Sequence, residues 1–78
     1  MNEQNLIQMA NQIGQFFDSM PTRDEALAGI ADHIRRFWEP RMRRTLLATL
    51  DTPERAAALS SSVRQALLQY RNELTPAA

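Results

Sequence analysis

Thr22-Arg23-Asp24-Glu25-Ala26-Leu27-Ala28-Gly29-Ile30-Ala31-Asp32-His33-Ile34-Arg35-Arg36-Phe37-Trp38-Glu39-Pro40 decides the fold class of this 78-residue chain. Its first four residues have the form of a capping box: the Thr22 hydroxyl can accept from the amide three residues on, and Glu25 can reach back to the Thr22 amide. From Leu27 onward, Ile30, Ala31, Ile34, Phe37 and Trp38 follow at helical spacing on one face. Asp32 and Arg36 sit on the other as an i,i+4 ion pair. Pro40 lacks an amide proton and clashes with the carbonyl four residues back, so the helix must turn a corner at Glu39-Pro40. Proline also suits the first position of a new helix, and a third helix is predicted from there, with Met42, Leu46, Leu47 and Leu50 inward.

The flanking segments read the same way. Upstream, Leu6, Met9, Ile13, Phe16 and Phe17 recur at helical spacing, predicting a helix over about 3–18 that Pro21 ends. Downstream, Asp51-Thr52-Pro53-Glu54 repeats the start signal for a short helix over 53–59. Ser60-Ser61-Ser62 offers a cap for a final helix over about 62–73, with Val63, Ala66, Leu67, Tyr70 and Leu74 inward; Thr75-Pro76-Ala77-Ala78 is expected to fray. No run alternates as a strand does. The expected architecture is all-α, a single compact domain over residues 1–78 with four to five short helices.

Composition narrows the function. A chain this short hides only about 60% of the surface its unfolded form exposes, so its core is marginal unless stapled or docked. Without cysteine it can form no disulfide, hold no iron-sulfur cluster and build no thiolate zinc site. One His and one Tyr, with no Lys, are thin material for catalysis. Asp32 and His33 are sequence neighbours pointing about 100° apart on a helix, so they make no dyad, and a lone His without an acid or second His on its face makes no metal site. We therefore assign no catalytic, cofactor-binding or metal-binding residue. No apolar run approaches the roughly 20 residues that span a bilayer, and the first residues lack a signal-peptide pattern, so the expected location is the cytoplasm.

Zero net charge conceals an uneven distribution. All nine basic residues are arginine, and Arg35, Arg36, Arg41, Arg43 and Arg44 fall within ten positions with Glu39 as the one acid among them. Arg41, Arg43 and Arg44 stand in the first turn of a helix, where the macrodipole repels cations, so a compensating partner is expected. Two readings compete. Arginines beside Phe37 and Trp38 at a helix corner fit a small nucleic-acid-binding regulator, although such domains usually carry a net positive charge. They also fit an interaction module that completes an undersized core on a larger protein, Arg and Trp being enriched among binding hot spots. Burial in the core is the stronger reading for the two aromatics. The row Ala26, Gly29 and His33 forms a second, narrower face where the bare Gly29 backbone would let another element come close.

Met9-Ala10-Asn11-Gln12-Ile13-Gly14-Gln15-Phe16-Phe17 and Ala28-Gly29-Ile30-Ala31-Asp32-His33-Ile34-Arg35-Arg36-Phe37-Trp38-Glu39-Pro40-Arg41-Met42-Arg43, in this order across a short Pro-containing loop, resemble the delta subunit of the soluble NAD-dependent formate dehydrogenases. The likeness is strongest over residues 6–50; the family more often has Asp at the place of Glu39, and after Leu50 the chain departs from the family pattern. The resemblance implies a non-catalytic accessory subunit of a cytoplasmic complex. Its larger chains would oxidise formate at a molybdenum or tungsten bis-pterin centre and pass electrons through iron-sulfur clusters and flavin to NAD. The delta chain itself would hold no cofactor. Its implied partner is the catalytic alpha subunit, not nucleic acid or a membrane, with self-association open to the isolated chain. On that expectation Arg36, Arg41 and Arg43 meet acids of the partner, Gly29 and His33 line the contact, and Phe37, Trp38, Pro40 and Met42 shape the corner.

Overall fold

A computed structural model describes residues 2–77, and all regular structure among them is helical. The elements are α1 Glu3–Phe17, α2 Arg23–Phe37, α3 Pro40–Ala48, α4 Pro53–Ala57, α5 Ser61–Gln69 and α6 Arg71–Leu74, with a 3-10 turn Thr49–Asp51 joining α3 to α4. The all-α expectation holds. The helix count is one higher than predicted because the last helix breaks at Tyr70, whose backbone (φ −106°, ψ 22°) leaves the α region.

Local signals set the boundaries. The Asn2 side chain accepts from the Gln4 amide at 2.7 Å, Thr22 Oγ1 from Glu25 at 3.1 Å and Ser60 Oγ from Val63 at 3.4 Å, each relieving an amide that has no partner in the first turn. Pro40 and Pro53 take the first helical positions of α3 and α4, where a missing N–H costs nothing. Thr52 caps α4 without accepting from a backbone amide of its first turn, its hydroxyl accepting from the Arg55 Nε at 3.0 Å instead.

α1, α2 and α5 each touch the other two, and α3 lies against α1. Leu6, Ile7 and Ala10 of α1, Leu27, Ile30 and Ile34 of α2, Leu46 of α3, Val63 and Leu67 of α5 and Leu74 of α6 meet in one buried core. Thr49 is buried with them, its hydroxyl donating to the Leu46 carbonyl at 2.6 Å. Thr75, expected to fray, is tied through both its amide and its hydroxyl to the Arg71 carbonyl; Ala78 lies outside the described residues.

Polar side chains tie distant segments together. Asn11 Nδ2 donates to the Ala58 carbonyl at 3.0 Å while its Oδ1 accepts from the Ser60 amide at 2.8 Å, so one side chain substitutes for a strand of backbone across the α4–α5 corner. One turn further on, a Cβ added to Gly14 would lie 2.6 Å from Val63 Cγ2, so α5 approaches α1 over bare backbone. Arg55 joins Glu3, Thr52 and the Ala48 carbonyl, and Arg23 joins Gln65 and Ser61. Asn11→Ala strands the Ser60 amide and the Ala58 carbonyl and is expected to cost about 1–3 kcal/mol. Urea unfolding followed by circular dichroism measures it, and a loss below about 0.5 kcal/mol would show that water replaces both bonds.

Candidate protein-docking surface

The first helix carries more apolar surface than the core behind it can take. At about 100° per residue, its apolar positions cover roughly half of the helix circumference. Leu6, Ile7, Ala10 and Gly14 occupy the side turned to α2 and α5 and are buried; Phe17, in line with Leu6 and Ala10 in the last turn, and Ile13, at the edge of that side, are half-buried. Met9 and Phe16 lie beyond it, 43% and 66% exposed. Helical spacing groups both with Leu6 and Ile13 and gives the width of the apolar face, but not how much of it a neighbour covers.

The second helix supplies the opposite wall. Phe17 lays its ring on the backbone of Gly29, where any Cβ would overlap it. The close approach expected at Gly29 is thus made within the chain, by an aromatic ring, and Gly29 itself stays half-buried beside it. From there a row of rings crosses between the helices. Phe16 meets Phe17 edge-on with centroids 5.0 Å apart, Phe17 faces His33 at 6.4 Å, and His33 lies 4.9 Å from Phe37. The Arg36 guanidinium stands 5.7 Å from the Phe37 ring, within cation–π range. Between the helices lies an open groove of about 590 Å³ lined by Met9, Gln12, Ile13, Phe16, Phe17, His33 and Trp38.

Phe37 and Trp38, both expected in the core, part company. Trp38 is 5% exposed and Phe37 68%. The helix ends at Phe37 and Trp38 adopts an extended backbone (φ −97°, ψ 130°), which swings the indole back under the corner. One large ring fills that space, and Phe37 stays outside against His33. Among the described residues no group of three His, Asp or Glu comes together to hold a metal.

The arginines divide into engaged and unengaged. Arg35 and Arg36 share Asp32 at 3.8 and 3.5 Å in exposed pairs worth a few tenths of a kcal/mol. Arg71 reaches Asp51 at 3.6 Å, and Arg44 reaches the Ala77 carbonyl at 3.5 Å. Arg41, beside the exposed Pro40, has no acceptor among the described residues. Arg43 is half-buried with its Nε sealed from solvent and unpartnered, while Met42 packs on the core edge. The cluster predicted from sequence therefore stands at the α2–α3 corner, with Arg41 and Arg43 unpaired among the described residues. Beside it lies the aromatic groove, whose α1 wall the sequence marks only as part of one apolar helix face.

Residues 5–67 match the protein family described as NADH-dependent formate dehydrogenase delta subunit FdsD. The chain belongs to that family. The matched span runs from α1 to the end of the buried part of α5, so it includes both the aromatic groove and the arginine corner of this FdsD-family chain. No curated protein and no solved structure matches it.

The seat of Phe17 on Gly29 predicts a reversal of sign. Gly29→Ala should destabilise the native chain by about 1–2 kcal/mol, since the ring must move. In a Phe17→Ala background the same change should stabilise by up to about 1 kcal/mol, the intrinsic helix preference of Ala over Gly. Thermal melts of the four variants measure the coupling. Equal effects in both backgrounds would show that the ring does not rest there.

Proposed function

We propose that this chain is a non-catalytic accessory subunit that docks on the catalytic alpha subunit of a cytoplasmic, molybdenum- or tungsten-dependent formate dehydrogenase and stabilises it or assists its assembly. Membership of the delta-subunit family is the observation that carries this reading. The physical chemistry of the chain agrees with it. A domain of this size gains from finishing its core on a neighbour. The first turn of α3 holds two arginines without acceptors among the described residues, in a place where the helix dipole disfavours them, and carboxylates of a partner would relieve that cost. In this reading Arg36, Arg41 and Arg43 meet those carboxylates, Pro40 and Met42 fix the first turn that presents them, and His33 and Phe37 continue the contact towards α1. Trp38 and Gly29 act from beneath, one supporting the corner and the other seating Phe17.

Co-purification tests it. A tagged alpha subunit from a strain expressing the whole complex should bring this chain down in stoichiometric amount. Arg41→Glu with Arg43→Glu should reduce its recovery at least tenfold, because repulsion replaces each charge-assisted contact. Recovery of the double variant at the native level would refute docking through the corner.

A further inference from the structure

The aromatic groove lies beside the arginine corner but is not explained by it, and its lining indicates what covers it. The exposed ring of Phe16 and the thioether of Met9 line the depression, and the exposed ring of Phe37 extends its α2 side by packing on His33, a concentration of apolar surface that small soluble domains seldom leave uncovered. Its walls are two packed helices, which form a seam that a third helix can fill by setting its side-chain ridges between them. Charge supplies the rest. The outer side of the α1 wall carries the uncharged amides Asn5, Gln8, Gln12 and Gln15. The groove residue Trp38 leads within five residues to Arg41 and Arg43 and follows Arg36 by two, with Glu39 the only acid between Arg36 and Arg43.

We infer that the groove seats an amphipathic helix of the partner subunit. That helix inserts large apolar side chains, spaced three or four residues apart, between Phe16 and Phe37, and presents carboxylates to the arginines at the Trp38 end. The inference rests on the accessory role proposed above for the identity of the partner, and it moves most of the binding energy from the arginine corner to the groove. Buried apolar contact supplies affinity, while the cations set direction along the seam. A second copy of this chain whose groove runs parallel is the poorer occupant, since it would set the two arginine-rich ends together.

The experiment titrates the purified alpha subunit with the full chain, native and Phe16→Gln/Phe37→Gln, after circular dichroism and thermal melts confirm that the exposed substitutions keep the fold. The double variant should bind at least tenfold more weakly. Native binding should weaken several-fold between about 50 and 300 mM salt, as carboxylate–guanidinium contacts require. If the double variant melts early, Phe37→Gln alone serves, with a loss of about fivefold, or about 1 kcal/mol. Native-strength binding by a folded variant overturns the groove and leaves the accessory role standing, whereas no binding by the native chain overturns that role itself. Salt-independent binding overturns the carboxylate pairing. A native dimer in ultracentrifugation that the double substitution dissociates assigns the groove to a second copy, and a small apolar molecule retained in native mass spectrometry assigns it to a ligand; either result overturns the inference.

Discussion

Phe17 resting on the bare backbone of Gly29 is the contact on which the surface of this protein depends. It lets α1 lie close to α2 and fixes the rotation of α1 about its own axis. With that rotation set, Leu6, Ile7 and Ala10 fill the space towards the core, and Met9 and Phe16 are left outside. Asn11 and Gly14 lock the same rotation from the other side, by gripping the α4–α5 corner and admitting Val63. Neither Met9 nor Phe16 can then turn inward without breaking one of these ties. The exposed groove is a consequence of how the core closes, not of loose packing.

The charge distribution divides along the same lines. Arg23 and Arg55 are structural, each joining segments about 40 to 50 residues apart in sequence. Such ties matter in a chain with no disulfide and a small core. Arg41 and Arg43 do the opposite. They stand at the positive end of a helix dipole, and the Nε of Arg43 is out of water without an acceptor. A buried unpaired donor costs of the order of 1–3 kcal/mol. This unfavourable placement adjoins the exposed aromatic groove, and both are features that a protein partner would relieve.

Much of the fold was legible because its signals are local. Thr22 with Glu25, Pro40, Pro53 and Ser60 act within one turn of themselves, and each begins a helix where its position predicts. The Asp32–Arg36 pair is local in the same sense. The arginine cluster was also legible, since crowding in sequence within a helix and its corner becomes crowding in space. The α1 wall of the groove was not. Met9 and Phe16 have the spacing of core residues, and only the rotation of α1 against α2 and α5 places them outside. The one available hint was an apolar arc on α1 wider than a single packing face. Phe37 and Trp38 are adjacent and equally apolar, so the sequence holds no sign of which ring the corner admits; the extended backbone at Trp38 decides it. The roles of Asn11 and Arg55 depend on partners far along the chain, beyond the reach of any local pattern.

Hydroxyl-radical footprinting of the chain, free and within the assembled complex, tests most directly whether the aromatic face is where this subunit meets its partner. Met9, Phe16 and Phe37 are exposed and oxidisable, and Leu68 on α5, 57% exposed and outside the groove, is the internal control. The account predicts that oxidation of the first three falls sharply on assembly while that of Leu68 stays unchanged. Protection of Leu68 with Met9, Phe16 and Phe37 still fully labelled would place the partner on another face and contradict it.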